Sequence, residues 1–349
     1  MAKWSNIPQI TYSSSDIKLR LLNSSETKLD ALLRKRWERA KSLKIFRYAL
    51  NIQATKVLPG KYGFFAQLNE ERGSLRRKPQ EIRDINAPFN PMLFNFTRLK
   101  EEEILFTMNL EGEAGGVSNY VAINDSPIDY GHCLLLPALE KCHPQVISED
   151  GLSFAINFLL LSGSLDLRIG FNGLCAFASV NHLHYHAYYL SNRMLLERIE
   201  VHHLKGPCYE LTDYPGEGFA FQLSNQDVDS LVRNVFTLTS YLQEKGIAHN
   251  LYITRGSEFQ NENKHDSSAD GSNIVRVYVW ARKPSYGAKE VKSFYPALCE
   301  LFGHFPLTIR SEGVAAYDNI TEEFISSVLY DICHEVFLSI RDEVAKLYN

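Results

Sequence analysis

The chain predicts an α+β fold in which largely antiparallel sheets are flanked by helices. Short runs of alternating apolar and polar residues, separated by polar turns, dominate residues 45–135. Helical periodicity is confined to a few isolated segments between such runs. The order of strands, helix and more strands occurs twice, which points to two related halves at 45–205 and 206–349 behind an N-terminal helical segment at 1–44.

Each element follows from local pattern. Residues 24–42 place Leu29, Leu32, Leu33, Trp37 and Ala40 on one helical face, with Asn23, Ser24 or Ser25 available as cap and a solvated basic outer face. Strands are expected within 45–58, 63–70, 92–99, 103–110 and 119–125, then in a segment ending at Pro137. A helix follows at 148–163, a strand at 167–173, and a strand through 181–190. In the second half, Val228, Leu231, Val232, Val235 and Phe236 mark one side of a helix at 225–245. Strands at 249–256 and 273–282 flank a polar linker, 257–272, read as a mobile surface loop, and a helical region closes the chain at 321–347.

Composition narrows the function classes. The 349 residues are 45% hydrophobic and 22% charged, with a formal net charge of -4, so overall charge predicts neither duplex nucleic acid nor an anionic membrane as partner. The first residues lack the apolar core of a secretory signal, and no apolar stretch reaches bilayer length. Six cysteines form no C-x-x-C pair and read as reduced core thiols of a cytoplasmic protein.

The chemistry centres on "NHLHYHAYYL" at 181–190. In an extended strand His182, His184, His186 and Tyr188 share one side, while Leu183, Tyr185, Ala187 and Tyr189 pack on the other. Three imidazoles in register have three readings: incidental hydrogen bonding, a metal site of the H-x-H kind, or nucleophilic catalysis at phosphorus. The neighbours decide between the last two. Upstream, "GFNGLCAFAS" offers small residues and the donors Asn172 and Ser179, and "VAINDSPIDYGHCLLLP" joins two strands through a Gly131-His132 step.

These motifs resemble the histidine-triad superfamily of nucleotide hydrolases and transferases, whose triad follows a G-H strand and a ribose-binding residue, here Asn124. The segments "GFFAQLNEERGSLRRKPQEI", "PFNPMLFNFTRL", "VAINDSPIDYGHCLLLP", "ASVNHLHYHAYYL", "TDYPGEGFAFQL", "HNLYITRG" and "ALCELFGHFPL" narrow the resemblance to the GDP-hexose phosphorylases, over about residues 27–310. "VRVYVWARKPSYGAKE" is most similar to the animal branch acting on GDP-glucose. The resemblance implies a histidine-triad-like fold with the triad in the first half only. It implies a double displacement in which His184 attacks the α-phosphorus of GDP-D-glucose and glucose 1-phosphate leaves. Inorganic phosphate then takes the guanylyl group to give GDP. His182 and His186 would orient the nucleophile and donate to phosphate, with Asn124, His132, Asn172 and Ser179 binding substrate; Arg77 is added as a substrate-binding candidate from the basic cluster it belongs to. No cofactor or metal is called for, and the oligomeric state stays open.

Two positions depart from the family pattern. His186 stands where the plant branch carries glutamine, which keeps hydrolysis by water as the rival reaction. Gly173 stands where members carry serine, so a backbone N–H is expected to replace that hydroxyl. A non-catalytic nucleotide-binding protein is the reading from a different class, and it requires a vestigial triad. Among weaker signals, Arg72, Arg76, Arg77, Lys78 and Arg83 read first as a solvated cluster and second as a funnel for phosphate. Gln67 and Asn69 are balanced between reading guanine and capping a turn, and the aromatics of "PFNPMLFNF" are assigned to the core. His202, His203 and His334 are expected at the surface, and Glu300 and His304 in a supporting role.

Overall fold

In a computed structural model, described over residues 4, 6–111, 119–223, 227–259, 273–287 and 295–348, fourteen strands and six α-helices form the molecule. The first half carries β1 (Gln9–Tyr12), β2 (Ala54–Val57), β3 (Phe65–Leu68), β4 (Ile104–Leu110), β5 (Asn119–Ile123), β6 (Cys133–Leu136), β7 (Leu167–Asn172) and β8 (Tyr185–Tyr189). The second carries β9 (His202–Lys205), β10 (Cys208–Leu211), β11 (Gly218–Gln222), β12 (His249–Gly256), β13 (Ile274–Ala281) and β14 (His304–Leu307). The helices are α1 (Lys28–Ser42), α2 (Glu70–Leu75), α3 (Glu149–Leu161), α4 (Val228–Glu244), α5 (Leu298–Leu301) and α6 (Glu322–Lys346).

Eleven strands make one sheet in the order β1-β4-β5-β6-β8-β7-β12-β13-β11-β10-β9. The two halves repeat one topology: β4-β5-β6-α3-β7-β8 corresponds to β9-β10-β11-α4-β12-β13, and both halves of the sheet order these strands alike from the outer side inward. Antiparallel pairing of β7 with β12, from Asn172 opposite Asn250 to Ile169 opposite Ile253, joins them. A division at 205/206 falls in the turn of the β9–β10 hairpin. At alternate positions of β13, the counterpart of the histidine strand, stand Arg276, Tyr278 and Trp280. The second half therefore has the fold without the triad.

One sheet face is covered by α1, α3 and α4, whose apolar sides meet Leu183, Tyr185, Ala187 and Tyr189 as alternation predicts. The other face carries Tyr188, Tyr252, Tyr278 and Trp280 against α5, the first half of α6 and a small sheet of order β14-β3-β2. That small sheet pairs His304–Leu307 in parallel with Phe65–Leu68, so the two halves interlock on the side where the triad lies.

Some expectations are corrected. Helix α1 starts at Lys28 and is capped by Thr27 in a capping box with Asp30, later than Asn23, Ser24 or Ser25. Within 45–58 only Ala54–Val57 is strand. The strand expected at 92–99 is a turn with a short 3-10 helix at Phe96–Arg98, because the Asn90 and Asn95 side chains accept from Met92 N–H at 2.9 Å and Thr97 N–H at 3.2 Å. His334 is half-buried against Glu217 and stacked on Tyr330 at 4.2 Å, whereas His202 and His203 are exposed. Most of the 257–272 linker and the first residues of the helix expected at 225–245 lie outside the described residues.

Asp30 ties α1 to the sheet. Buried to 1% exposure, it accepts from Thr27 N–H and Oγ1, Ser162 Oγ at 2.7 Å, Gly163 N–H at 2.9 Å and Tyr189 Oη at 2.8 Å. Asp30→Ala orphans these donors and is expected to cost about 3 kcal/mol. Urea unfolding checks this, and a loss below about 1 kcal/mol would contradict it.

Candidate active site

The turn between β5 and β6 builds the first wall. Gly131 sits at φ +72°, and a Cβ there would lie 2.6 Å from the Tyr189 ring, so glycine alone lets the chain turn into His132. Trp37 of α1 donates Nε1–H to the His132 carbonyl at 3.3 Å and holds the turn from below. The His132 ring is fully buried, and its Nδ1 accepts from Ile128 N–H at 2.9 Å. Burial, with Arg72, His304 and His184 adding to it, holds this imidazole well below its usual pKa. A neutral ring whose Nδ1 accepts must carry its proton on Nε2, which lies 3.1 Å from His186 Nδ1. His186 then accepts at Nδ1 and keeps its own proton on Nε2. The Asn124 amide stands beside the same His132 nitrogen at 3.2 Å.

His184 is fixed differently. Its Nδ1 lies 2.7 Å from the His182 carbonyl and donates to it, which makes Nε2 the lone-pair nitrogen. Gln145 clamps its backbone from both sides: Oε1 accepts from His184 N–H at 2.8 Å, while Nε2 donates to the carbonyls of His184 and Asn172, each at 3.0 Å. The His182 ring is turned away. It packs between Phe89 and Phe96, accepts from Phe96 N–H at 3.1 Å, and is pushed down to about 4 by burial. Its contribution to the site is its carbonyl.

Asn124, His132, Asn172, Ser179, His184, His186 and Arg77 line one cavity, and His182 does not. Asn172 is committed to the frame, its Oδ1 accepting from Asn250 Nδ2 at 2.8 Å and Leu298 N–H at 2.9 Å. Arg72, Arg76 and Lys78 line the cavity as well, so the basic cluster is a wall of the site. Arg83 stays outside, exposed and paired with Glu81. Phe96, assigned to the core, also faces the cavity and touches the His184 ring edge-on at 4.9 Å. The loop from Gly173 to Ser179 holds Cys175 at φ 55° and Phe177 at φ 70°, two non-glycine residues in the left-handed region beside the triad.

Three expectations change here. The Gly173 N–H donates to the His249 carbonyl at 3.1 Å and so does not stand in for a serine hydroxyl. A Cβ at Gly173 would lie 2.6 Å from that carbonyl oxygen, which explains why this chain has no side chain there. Gln67 does not face a base: it is buried, donates to the Ile128 carbonyl at 2.7 Å, and accepts from His304 Nε2–H at 3.0 Å. Asn69 caps α2, accepting from Arg72 N–H at 3.2 Å. His304 supports the site through Gln67, whereas Glu300 and its neighbour Cys299 line the cavity.

Among the described residues no three His, Cys, Asp or Glu side chains are grouped to hold a metal ion. The donor set agrees in its chemistry, since His132 and His186 spend facing nitrogens on each other rather than converging their lone pairs. What the arrangement offers is one oriented imidazole lone pair, a second imidazole presenting N–H, and a cationic wall, which is equipment for nucleophilic substitution at a phosphate.

Two family models cover most of the chain: "GDPGP1-like, N-terminal domain" at residues 28–188 and "GDPGP1-like, C-terminal domain" at 192–344. The chain is 40% identical to GDP-D-glucose phosphorylase 1 of Danio rerio over 93% of its own length and 91% of the relative's. It is 38% identical to the Homo sapiens protein of that name, covering 88% of this chain and 80% of the relative. It is 32% identical to GDP-L-galactose phosphorylase 2 of Arabidopsis thaliana, covering 86% and 71%. Among solved structures, yeast Ap4A phosphorylase Apa2 in complex with AMP superposes with a TM-score of 0.59 over 89% of this chain and 97% of that one, at 14% identity, a likeness of fold. With both domain models matched in order around the oriented triad, the chain belongs to the GDPGP1-like family.

Proposed function

We infer that this chain is a GDP-D-glucose phosphorylase, a nucleotidyltransferase that converts GDP-D-glucose and inorganic phosphate to GDP and D-glucose 1-phosphate. The observation that carries the mechanism is the His184 Nδ1–H bond to the His182 carbonyl, which leaves Nε2 as the nucleophile of a residue lining the cavity. Nε2 attacks the α-phosphorus, the bond to the β-phosphate oxygen breaks, and glucose 1-phosphate departs from a guanylyl-His184. The leaving phosphate has a second pKa near ~6, so it departs near neutrality without a general acid. His186, its tautomer set by His132, donates from Nε2–H to a non-bridging oxygen as charge builds. Asn124, Ser179 and Arg77 line the cavity, which supports assigning the ribose to Asn124 and further substrate contacts to the other two, with His182 as a positioning residue.

The vertebrate proteins named for GDP-D-glucose are 36% to 40% identical over 86% to 93% of this chain, whereas the plant proteins named for GDP-L-galactose are 32% identical over 86% and 35% over only 65%, and this balance favours glucose as the hexose. A reducing compartment, the cytoplasm, suits six free cysteines, five of them buried. No helix of the described residues is long and apolar enough to cross a membrane. The test is a product assay on purified protein with GDP-glucose. GDP, and more than one equivalent of glucose 1-phosphate per chain, are expected only when inorganic phosphate is present. Phosphate-independent release of GMP would instead make the chain a hydrolase.

A further inference from the structure

The cationic wall is not uniform. Arg77 Nη2 contacts Asp125 Oδ2 at 2.8 Å, and Arg47 Nε reaches the same oxygen at 2.8 Å. The Arg77 guanidinium also stands over the Phe94 ring, 3.8 Å from its centroid. It shares the single Asp125 carboxylate with Arg47. Arg72 spends Nη1 on two neutral acceptors, Tyr48 Oη at 3.0 Å and the Ser126 carbonyl. Arg76 stands 5.6 Å over the Tyr295 ring. Neither forms an ion pair with a carboxylate among the described residues, yet both line the cavity, and the Arg72 charge disfavours that of Arg76. Glu300 is the carboxylate whose field reaches both, and it accepts from Ala297 N–H at 3.1 Å. His132, beside Arg72, is neutral and adds no cation. Two adjacent guanidinia, neither in an ion pair and facing the single Glu300 carboxylate, leave positive charge on the cavity wall that an anion would complete.

We propose that Arg72 and Arg76 form the orthophosphate site, the place from which the acceptor attacks. This rests on the double displacement argued above. When one nucleophile serves both half-reactions, the leaving phosphate and the entering phosphate both stand in line with His184 Nε2, so they share one position. The pair therefore holds the β-phosphate of the substrate, then glucose 1-phosphate, then orthophosphate. In the second step an orthophosphate oxygen bonds to the α-phosphorus as the P–Nε2 bond breaks, and the bonding pair returns to Nε2. The proton of hydrogen phosphate stays on what becomes the β-phosphate of GDP. Forked guanidinia discriminate in favour of a tetrahedral dianion over water, which supplies the preference for phosphorolysis that His186 alone does not.

The test uses the full chain carrying Arg76→Gln or Arg72→Gln, with Arg83→Gln as control, since Arg83 is exposed and outside the cavity. Inorganic phosphate binding is read by 31P NMR titration, and steady-state kinetics are run against phosphate. The expected result is a rise of KM and Kd for phosphate of roughly 10- to 100-fold in either variant, a smaller fall in kcat, and GMP appearing among the products. Arg76→Lys, which keeps the charge and loses the fork, should fall between. If Arg72→Gln does not fold, Arg76→Gln carries the test alone. Phosphate KM and Kd within threefold of wild type in a folded Arg76→Gln would overturn the site. Wild-type protein that binds phosphate through these arginines but does not phosphorolyse GDP-glucose would overturn the proposed reaction and leave the site standing.

Discussion

Replacing His184 with alanine is expected to lower kcat for glucose 1-phosphate release by about 10⁴-fold or more, the scale on which removing a covalent nucleophile acts. The loss follows from roles no neighbour can assume. His132 and His186 are engaged with each other at 3.1 Å, and His182 turns its ring between Phe89 and Phe96. His184→Ala also orphans the His182 carbonyl, a local cost of about 1–3 kcal/mol. His184→Asn is therefore the cleaner variant, because its Nδ2–H can still donate to that carbonyl while no nucleophile remains. GDP-glucose labelled at the α-phosphorus, supplied without phosphate, should leave one acid-labile guanylyl group per wild-type chain and none on His184→Asn. Turnover within tenfold of wild type in a folded variant would remove His184 from the reaction.

The alternation of "NHLHYHAYYL" was legible because a half-buried strand imposes period two, and Leu183, Tyr185, Ala187 and Tyr189 do face the core. Strand itself begins only at Tyr185. His182 and His184 precede it in irregular backbone, which is why their rings part company despite their spacing. Gln145, which clamps His184 from a loop 39 residues away, carries no periodic or compositional signal. The sheet joining Phe65–Leu68 to His304–Leu307 is equally silent, since a pairing across more than 200 residues leaves no mark in a local window. Arg72 and Arg76 read as solvated because a run of charges usually is. What overrides that prior is tertiary: Gly73 brings α2 so close to Thr308 that a Cβ would lie 2.9 Å from its Cβ, which tucks the cluster against the cavity.

The arrangement that orients the triad also predicts pronounced acid lability. His182 is pushed down to about 4 and His304 to about 3, each chiefly by burial, while His132 is held well below its usual value and His249 is lowered. In the unfolded chain each titrates near ~6.5, so below that pH the unfolded state binds more protons and stability falls with pH. The stability is complete above ~6.5 and is lost progressively towards pH 4 and 3. At pH 5 His182 and His304 together remove about 4 kcal/mol, and His132 and His249 add to this. Asp129, pushed up to about 6 by burial, works the other way and returns only about 1.4 kcal/mol at that pH. Unfolding free energies in urea at pH 7.5 and pH 5 should therefore differ by more than about 3 kcal/mol, a large share of a typical domain's stability. Equal stability at the two pH values would mean that the buried histidines take up protons in the folded chain. That outcome would also undo the tautomer of His132, because a proton on its Nδ1 would face the Ile128 N–H that it now accepts from. A triad oriented by burial cannot also be tolerant of acid.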